Sequence, residues 1–210
     1  MKLLSATPSP YARKVRIALA EKNLAFELIT EVPWDDDTQT AELNPLEKLP
    51  VLCLDDGTTV YDSSYILEYL EIKHPKPPLF PSDPDERLAA RRLEVLADGI
   101  CDAVVLAFFE NLRPEAHRSV AWRDRQIRKI EGGLGEIARL VPGDGHCVGD
   151  RFSLGDIAVG TVLGYLEIRC PDIEWRTRYP NLEIAFTRLS ERPSFQDTVP
   201  TPQKIGAQVV

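Results

Sequence analysis

Ser9 stands between Pro8 and Pro10 in the stretch SATPSPYARKVRIAL, directly before a basic amphipathic run. A hydroxyl at the mouth of a helix has two chemical uses. It can cap, accepting a bond from one of the orphan amides of the first turn. It can also help hold an anion, because unpaired amides and the positive end of the helix dipole gather there. A ligand thiol beside Ser9 would find its thiolate stabilised by the hydroxyl and by that field, since thiol acidity rises at helix N-termini. A nucleophilic Ser9 would instead need a histidine base oriented by a carboxylate. The three histidines, His74, His117 and His146, lie far along the chain, and no GxSxG surrounds any serine. Ser9 reads as a donor rather than an attacker.

Two further clusters carry suitable residue types. In NPLEKLPVL, Lys48 is either a solvated charge or a cation for a ligand carboxylate. Pro50 is either an ordinary edge proline or the site of a cis bond before a strand. With a cis bond, the backbone of Leu49 would face outward, suited to pairing with an extended peptide. In YDSSYI, Asp62 and Ser63 open a helix whose first amides are available to a carboxylate. Ser63 is the expected N-cap of that helix.

These residues need elements to position them. KLLSA reads as a strand, residues 10 to 23 as a helix and FELITEV as a second strand. In the first helix Val15, Ile17, Ala18 and Leu19 form the apolar side, while Arg13, Lys14, Arg16 and Lys22 are expected on the wet side. DDTQTAELN fits either a short helix or a loop. PVLCLDDGTTVYD holds two β-type runs around an Asp-Gly pair, a hairpin signal. SYILEYLEIK then has helical spacing at Ile66, Leu67 and Leu70. The order is βαβ, an uncertain α, then ββα, which predicts helices packed on a mixed sheet.

HPKPPLFPSDPDE carries five prolines between His74 and Asp85 and reads as a stiff linker. Beyond it the strand signal vanishes. Helical patterns cover 85–112, with a seam at Leu93, Leu96, Ile100, Val104 and Phe108, then 115–141, 154–168 and 181–191. The expected division is therefore 1–74 for the α/β domain, 75–85 for the linker and 86–210 for an all-α domain. In RFSLGDIAVG, Ser153 and Asp156 fit a capping box, with Phe152 and Ile157 placed as a hydrophobic staple. That pattern assigns Asp156 to folding rather than to catalysis.

Composition excludes several classes. Over 210 residues the chain is 43% apolar and 28% charged with a net charge of −8, which argues against a nucleic-acid partner. Four cysteines, Cys53, Cys101, Cys147 and Cys170, lie far apart with no CxxC, so a metal is not expected and reduced thiols are. MKLLSATPSP does not form a secretory signal and IAVGTVLGYL is too short to span a membrane. A cytoplasmic protein without a membrane association is the expectation.

Three motifs occur in one order: SPYARKVRIAL, NPLEKLPVL and YDSSYILEYL. With the proline-rich segment, the helical second half, FSLGDIA and YPNLEIAFTRLSERPSF, they resemble the glutathione S-transferase superfamily over essentially the whole chain. The resemblance implies a thioredoxin-like glutathione-binding domain (βαβαββα) and an all-helical C-terminal domain lining a hydrophobic co-substrate site. It places Ser9 at the glutathione sulfur and Lys48 near the glycyl carboxylate. Leu49 offers its backbone to the cysteinyl part before a cis Pro50. Ser63 holds the γ-glutamyl carboxylate and Asp62 lies nearer the ammonium. Tyr11, at the helix mouth, joins this glutathione site. Aromatic candidates for the co-substrate pocket are Tyr11, Trp34, Phe108, Phe109 and Tyr165, each also readable as core. Arg13 reads either as an aid to the thiolate or as part of a solvated helix face.

The implied reaction is transfer of the glutathione thiolate to small hydrophobic electrophiles, with glutathione-dependent peroxidase activity as an extension. Glutathione would be a co-substrate, with no other cofactor, and a homodimer is the usual assembly. A serine at the sulfur position disfavours thiol-disulfide chemistry, because a hydroxyl forms no mixed disulfide. The maleylacetoacetate-isomerase branch is disfavoured because its SSCS-type signature is missing where TPSPYA stands. The alternative is a binding or scaffold protein that kept the fold without the chemistry.

Overall fold

The structure, a computed structural model, describes residues 1–205. They fall into two units: Met1–Leu79 together with residues 193–205, and Phe80–Arg192.

The first unit is built on a four-stranded sheet. Strands β1 (Lys2–Ser5), β2 (Glu27–Thr30), β3 (Val51–Cys53) and β4 (Thr59–Tyr61) lie in the order β2-β1-β3-β4. β1 runs parallel to β2 and antiparallel to β3, and β3 runs antiparallel to β4. Leu3 and Leu4 are both buried, as a central strand covered on two faces requires. β3 and β4 are joined through the expected Asp-Gly turn, where Gly57 at φ 85° supplies a left-handed residue. Three helices complete this part of the unit: α1 (Pro10–Glu21), α2 (Thr40–Leu43) and α3 (Ser63–Lys73). The stretch DDTQTAELN thus resolves into one short helical turn.

α1 begins where Ser9 caps it and Pro10 occupies the first helical position, with φ already suited to the helix. Its polar side departs from the expected pattern: Arg13, Lys14 and Lys22 are buried. The reason is that α1 is covered by elements distant in sequence. α3 packs along it, and so does α9 (Pro193–Gln196), a short C-terminal helix without a periodic signal of its own. Arg13 lies over the Phe195 ring with its Nε and Nη2 3.4 Å from Thr198 Oγ1 and the Phe195 carbonyl. Arg16 donates to the carbonyl of Asp197 at 2.9 Å. These bonds tie residues 193–198 to α1 and so to the first unit. The boundary between the two units falls at Leu79–Phe80, within the proline-rich segment.

The second unit is helical: α4 (Pro84–Leu112), α5 (Val120–Leu140), α6 (Leu154–Arg169), α7 (Trp175–Arg178) and α8 (Pro180–Ser190), with a single 3₁₀ turn at Glu115–His117. α6 is buried from Leu154 through Leu166 and is the central helix. Its capping box is formed as expected, with Ser153 N donating to Asp156 Oδ2 at 3.0 Å. Asp156 also accepts from Cys147 N at 3.1 Å, so this buried carboxylate ties the preceding loop to the helix start. α5 approaches α4 closely at Gly133, where a Cβ would stand 2.6 Å from Ile100 Cγ1.

Candidate functional site

The register of the sheet gathers the sequence candidates at one end. Leu4, Val51 and Tyr61 form a single row across β1, β3 and β4. Because β3 is antiparallel to its neighbours, the C-terminal ends of β1 and β4 meet the N-terminal end of β3 there. Ser9 follows β1, Lys48, Leu49 and Pro50 precede β3, and Asp62 and Ser63 follow β4. Ligands of open α/β sheets favour the carboxyl ends of strands. Below this edge Leu4, Ala6, Leu49 and Val51 form one buried cluster backed by Ile29, Leu43 and Tyr61.

Ser9 is half-buried, and its Oγ accepts from Ala12 N at 3.2 Å. Its own amide donates to the Ala6 carbonyl at 3.1 Å, which fixes the turn between β1 and α1. A hydroxyl has one proton and two lone pairs. Capping uses a lone pair, so the proton remains for an acceptor. Capping and anion binding are therefore compatible in this side chain. Tyr11, two residues on, is also half-buried.

The Leu49–Pro50 bond is cis, and Leu49 lies before the ladder that starts at Val51. Its neighbour Lys48 is exposed and makes no ion pair among the described residues. Sequence reasoning missed the residue that shapes this loop. Asn44, 1% exposed, donates from Nδ2 to the Lys48 carbonyl at 2.7 Å and accepts from Leu46 N at 2.9 Å. An asparagine four residues ahead of Lys48, in a stretch that also holds proline, is a turn signal that could have marked it.

The start of α3 corrects one expectation. Asp62, not Ser63, is the N-cap: its Oδ1 accepts from Ser64 N at 2.8 Å, and Ser63 is the first helical residue. Asp62 has φ 62° and ψ 133°, a conformation that L-residues rarely adopt. Such strain costs on the order of 1–3 kcal/mol and concentrates at functional sites. It turns the chain sharply from β4 into α3 and leaves Asp62 exposed. Ser63 is buried, and its hydroxyl has no partner among the described residues. A second missed residue lies beneath. Lys14 Nζ is 3.3 Å from Ser64 Oγ.

Arg13 is neither a solvated residue nor a free cation at the helix mouth. Burial, with Arg16 adding repulsion, lowers its pKa to about 10. Trp34, after β2, is about half exposed. In the helical unit, Phe108 and Phe109 meet edge to face at 5.4 Å, and Arg169 stacks on Phe108 at 3.9 Å. Tyr165 is buried, which raises its hydroxyl pKa to about 12. Burial also pushes the Cys147 thiol up. Among the described residues no group of three His, Cys, Asp or Glu side chains could hold a metal, and no helix is long and apolar enough to cross a membrane.

Comparison with known proteins agrees in both halves. Residues 3–78 match the family described as Glutathione S-transferase, N-terminal domain, and residues 120–183 match Glutathione S-transferase, C-terminal domain. A glutathione S-transferase of Methylobacterium radiotolerans, solved in complex with glutathione sulfonate, is 66% identical with a TM-score of 0.98. The match covers 100% of this chain and 99% of that one. The GST-like protein YibF of Escherichia coli is 38% identical, over 95% of this chain and 98% of its own. Maleylacetoacetate isomerase of Rattus norvegicus is 30% identical, over 90% of this chain and 88% of its own. The mixed four-stranded sheet, the helical second unit and these matches together make the chain a member of the glutathione S-transferase superfamily.

Proposed function

We propose that the chain binds glutathione along the sheet end described above and transfers its thiolate to small hydrophobic electrophiles. The observation that supports this most is the meeting of three unlike features on one edge: a helix-mouth hydroxyl with a free proton, a cis-proline strand start, and a strained turn into a second helix. Glutathione has a thiol flanked by two carboxylates and one ammonium. Ser9 donates to the sulfur, Lys48 meets the glycyl carboxylate, and the backbone of Leu49 pairs with the cysteinyl unit. Ser63 meets the γ-glutamyl carboxylate and Asp62 its ammonium. Tyr11 lies within the same site. The thiol proton leaves to solvent, the thiolate attacks an electrophilic carbon, a C–S bond forms, and a group such as chloride departs with the electron pair of its bond to carbon.

Thermal unfolding with glutathione, followed by turnover of a chloronitroaromatic, tests the reading. Ligand about a hundred-fold above Kd raises Tm by roughly 5–10 °C for a chain of this size. A shift with turnover supports a transferase. A shift without turnover on electrophiles or hydroperoxides supports a binding protein, and no shift removes both readings. A second reading, glutathione-dependent isomerisation, is favoured by the identity with the rat isomerase. SATPSPYA lacks the SSCS-type signature expected of that branch, and turnover of maleylacetoacetate distinguishes it.

A further inference from the structure

β1 and β2 run parallel toward one edge of the sheet, the place where open α/β sheets usually take a ligand. In this chain that part of the edge is covered by its own C-terminal residues. Thr7, just beyond β1, pairs with Thr201. Its hydroxyl donates to the Thr201 carbonyl at 3.0 Å, and its carbonyl accepts from the Thr201 amide at 3.4 Å. At the end of β2 the Glu31 carbonyl accepts from Gln203 Nε2 at 3.0 Å, while the Glu31 amide donates to the Ser5 carbonyl at 2.9 Å. The same segment begins on α1, where Arg16 meets the Asp197 carbonyl and Arg13 meets Thr198 Oγ1. Residues 197–203 thus pass from the first two turns of α1, over the turn after β1, to the end of β2.

The turn that they cross is the one that presents Ser9. The Ser9 amide bonds to the Ala6 carbonyl, so Thr7 and Pro8 are the central pair of a turn that sets Ser9 at the mouth of α1. Bonds to Ala6 and Ala12 fix Ser9 through its near neighbours. The bonds to Thr201 fix the same turn from 194 residues away. A donor serves a reacting atom only while its position is held to within about 0.5 Å, and loops held by few contacts are the first to open locally. We propose that the C-terminal segment is a positioning element for Ser9, acting through Thr7. The two-bond pair with Thr201 holds the turn so that the Ser9 hydroxyl stays aimed at the ligand sulfur. The inference rests on the glutathione reading and adds to it residues that do not touch the ligand. It also accounts for where the site lies: with the β1–β2 part of the edge covered, the tripeptide is left the part formed by β1, β3 and β4.

Variants of the full chain test this with glutathione and with S-methylglutathione, whose sulfur has no proton to lose. Thr7→Val keeps the shape of the side chain and removes the hydroxyl, and Thr7→Ser restores it. Thr201→Ala leaves both backbone groups that Thr7 meets. In Thr7→Val the bound thiol, followed by ultraviolet absorbance against pH, should titrate about half a pH unit higher. Its kcat at saturating glutathione, measured below that titration, should fall roughly three-fold, the size of one lost hydrogen bond. Its Kd for S-methylglutathione, read by calorimetry, should stay within about two-fold of wild type. Thr7→Ser and Thr201→Ala should match wild type in all three measurements. A Thr7→Val variant that loses Tm but keeps its titration and kcat assigns the pair to stability, and an equal loss of S-methylglutathione binding assigns it to packing of the whole site; both overturn the inference. A wild-type chain that takes up neither ligand overturns the glutathione reading and this inference with it. Should circular dichroism show Thr7→Val unfolded, Thr201→Pro replaces it, removing the amide that bonds the Thr7 carbonyl. A higher titration with S-methylglutathione affinity kept is then expected, and an unchanged titration or an unselective loss overturns the inference.

Discussion

Replacing Ser9 separates its two roles if two substitutions are compared. Ser9→Ala removes the 3.2 Å bond from Ala12 N together with the spare hydroxyl proton. Losing an N-cap of this kind costs about 1 kcal/mol, or roughly 2–4 °C in Tm for a chain of this length. Losing one donor to a developing or resident anion lowers kcat by roughly ten- to a thousand-fold. Ser9→Asp acts differently. Aspartate caps as well as serine, so stability should remain within about 0.5 kcal/mol of wild type. Its carboxylate has no proton to give, and it sets a like charge near the sulfur. At a separation of about 4 Å and an effective dielectric of about 20, that repulsion of about 4 kcal/mol raises the pKa of the bound thiol by roughly three pH units. The assays are thermal unfolding, ultraviolet absorbance of the bound thiolate against pH, and steady-state turnover. Alanine should lose both stability and rate, and aspartate should lose rate alone. An aspartate variant with wild-type thiolate absorbance and wild-type turnover would refute the donor role and leave Ser9 a cap.

Lys48→Ala should leave Tm unchanged, because the side chain is exposed and makes no ion pair among the described residues. Its Kd for glutathione should rise about three- to ten-fold at low salt, with the difference shrinking as salt screens the wild-type contact; calorimetry at two ionic strengths reads it. Asp156→Ala should leave folded protein with unaltered glutathione affinity but lower Tm, since the buried carboxylate holds the Ser153 and Cys147 amides. Uncovering two buried donors costs on the order of 3 kcal/mol, which denaturant melts of the pure protein measure.

Features written in adjacent residues were legible in the sequence. The Ser9 cap followed by Pro10, the Asp-Gly turn at Gly57 and the Ser153–Asp156 box each depend on a few neighbours, and each formed. The choice between Asp62 and Ser63 as N-cap was not legible. Both types can cap, and the backbone of Asp62 at φ 62° decides between them. The burial of Arg13, Lys14 and Lys22 was hidden for a different reason. Periodicity assigns a charged side chain to water unless a partner is known, and their partners lie from 49 to 185 residues away. α7 and α9, each four residues long, show no helical period at all.

The placement of the cysteines bears on which thiol chemistry this unit can support. Cys53 is the one cysteine within Met1–Leu79, and it lies at the far end of β3, in the row with Lys2 and Thr59. It is two positions on from Val51, a distance of roughly 7 Å along the strand. Burial raises its pKa, so at neutral pH it is mostly the unreactive thiol. A mixed disulfide with a ligand at the Val51 end needs a thiolate at the place of the hydroxyl, and Ser9 occupies that place. On the glutathione reading proposed above, the sulfur that reacts at this edge arrives with the ligand. The residues around it can lower its pKa and fix its direction without being consumed, which is the division of labour that attack on a second substrate requires.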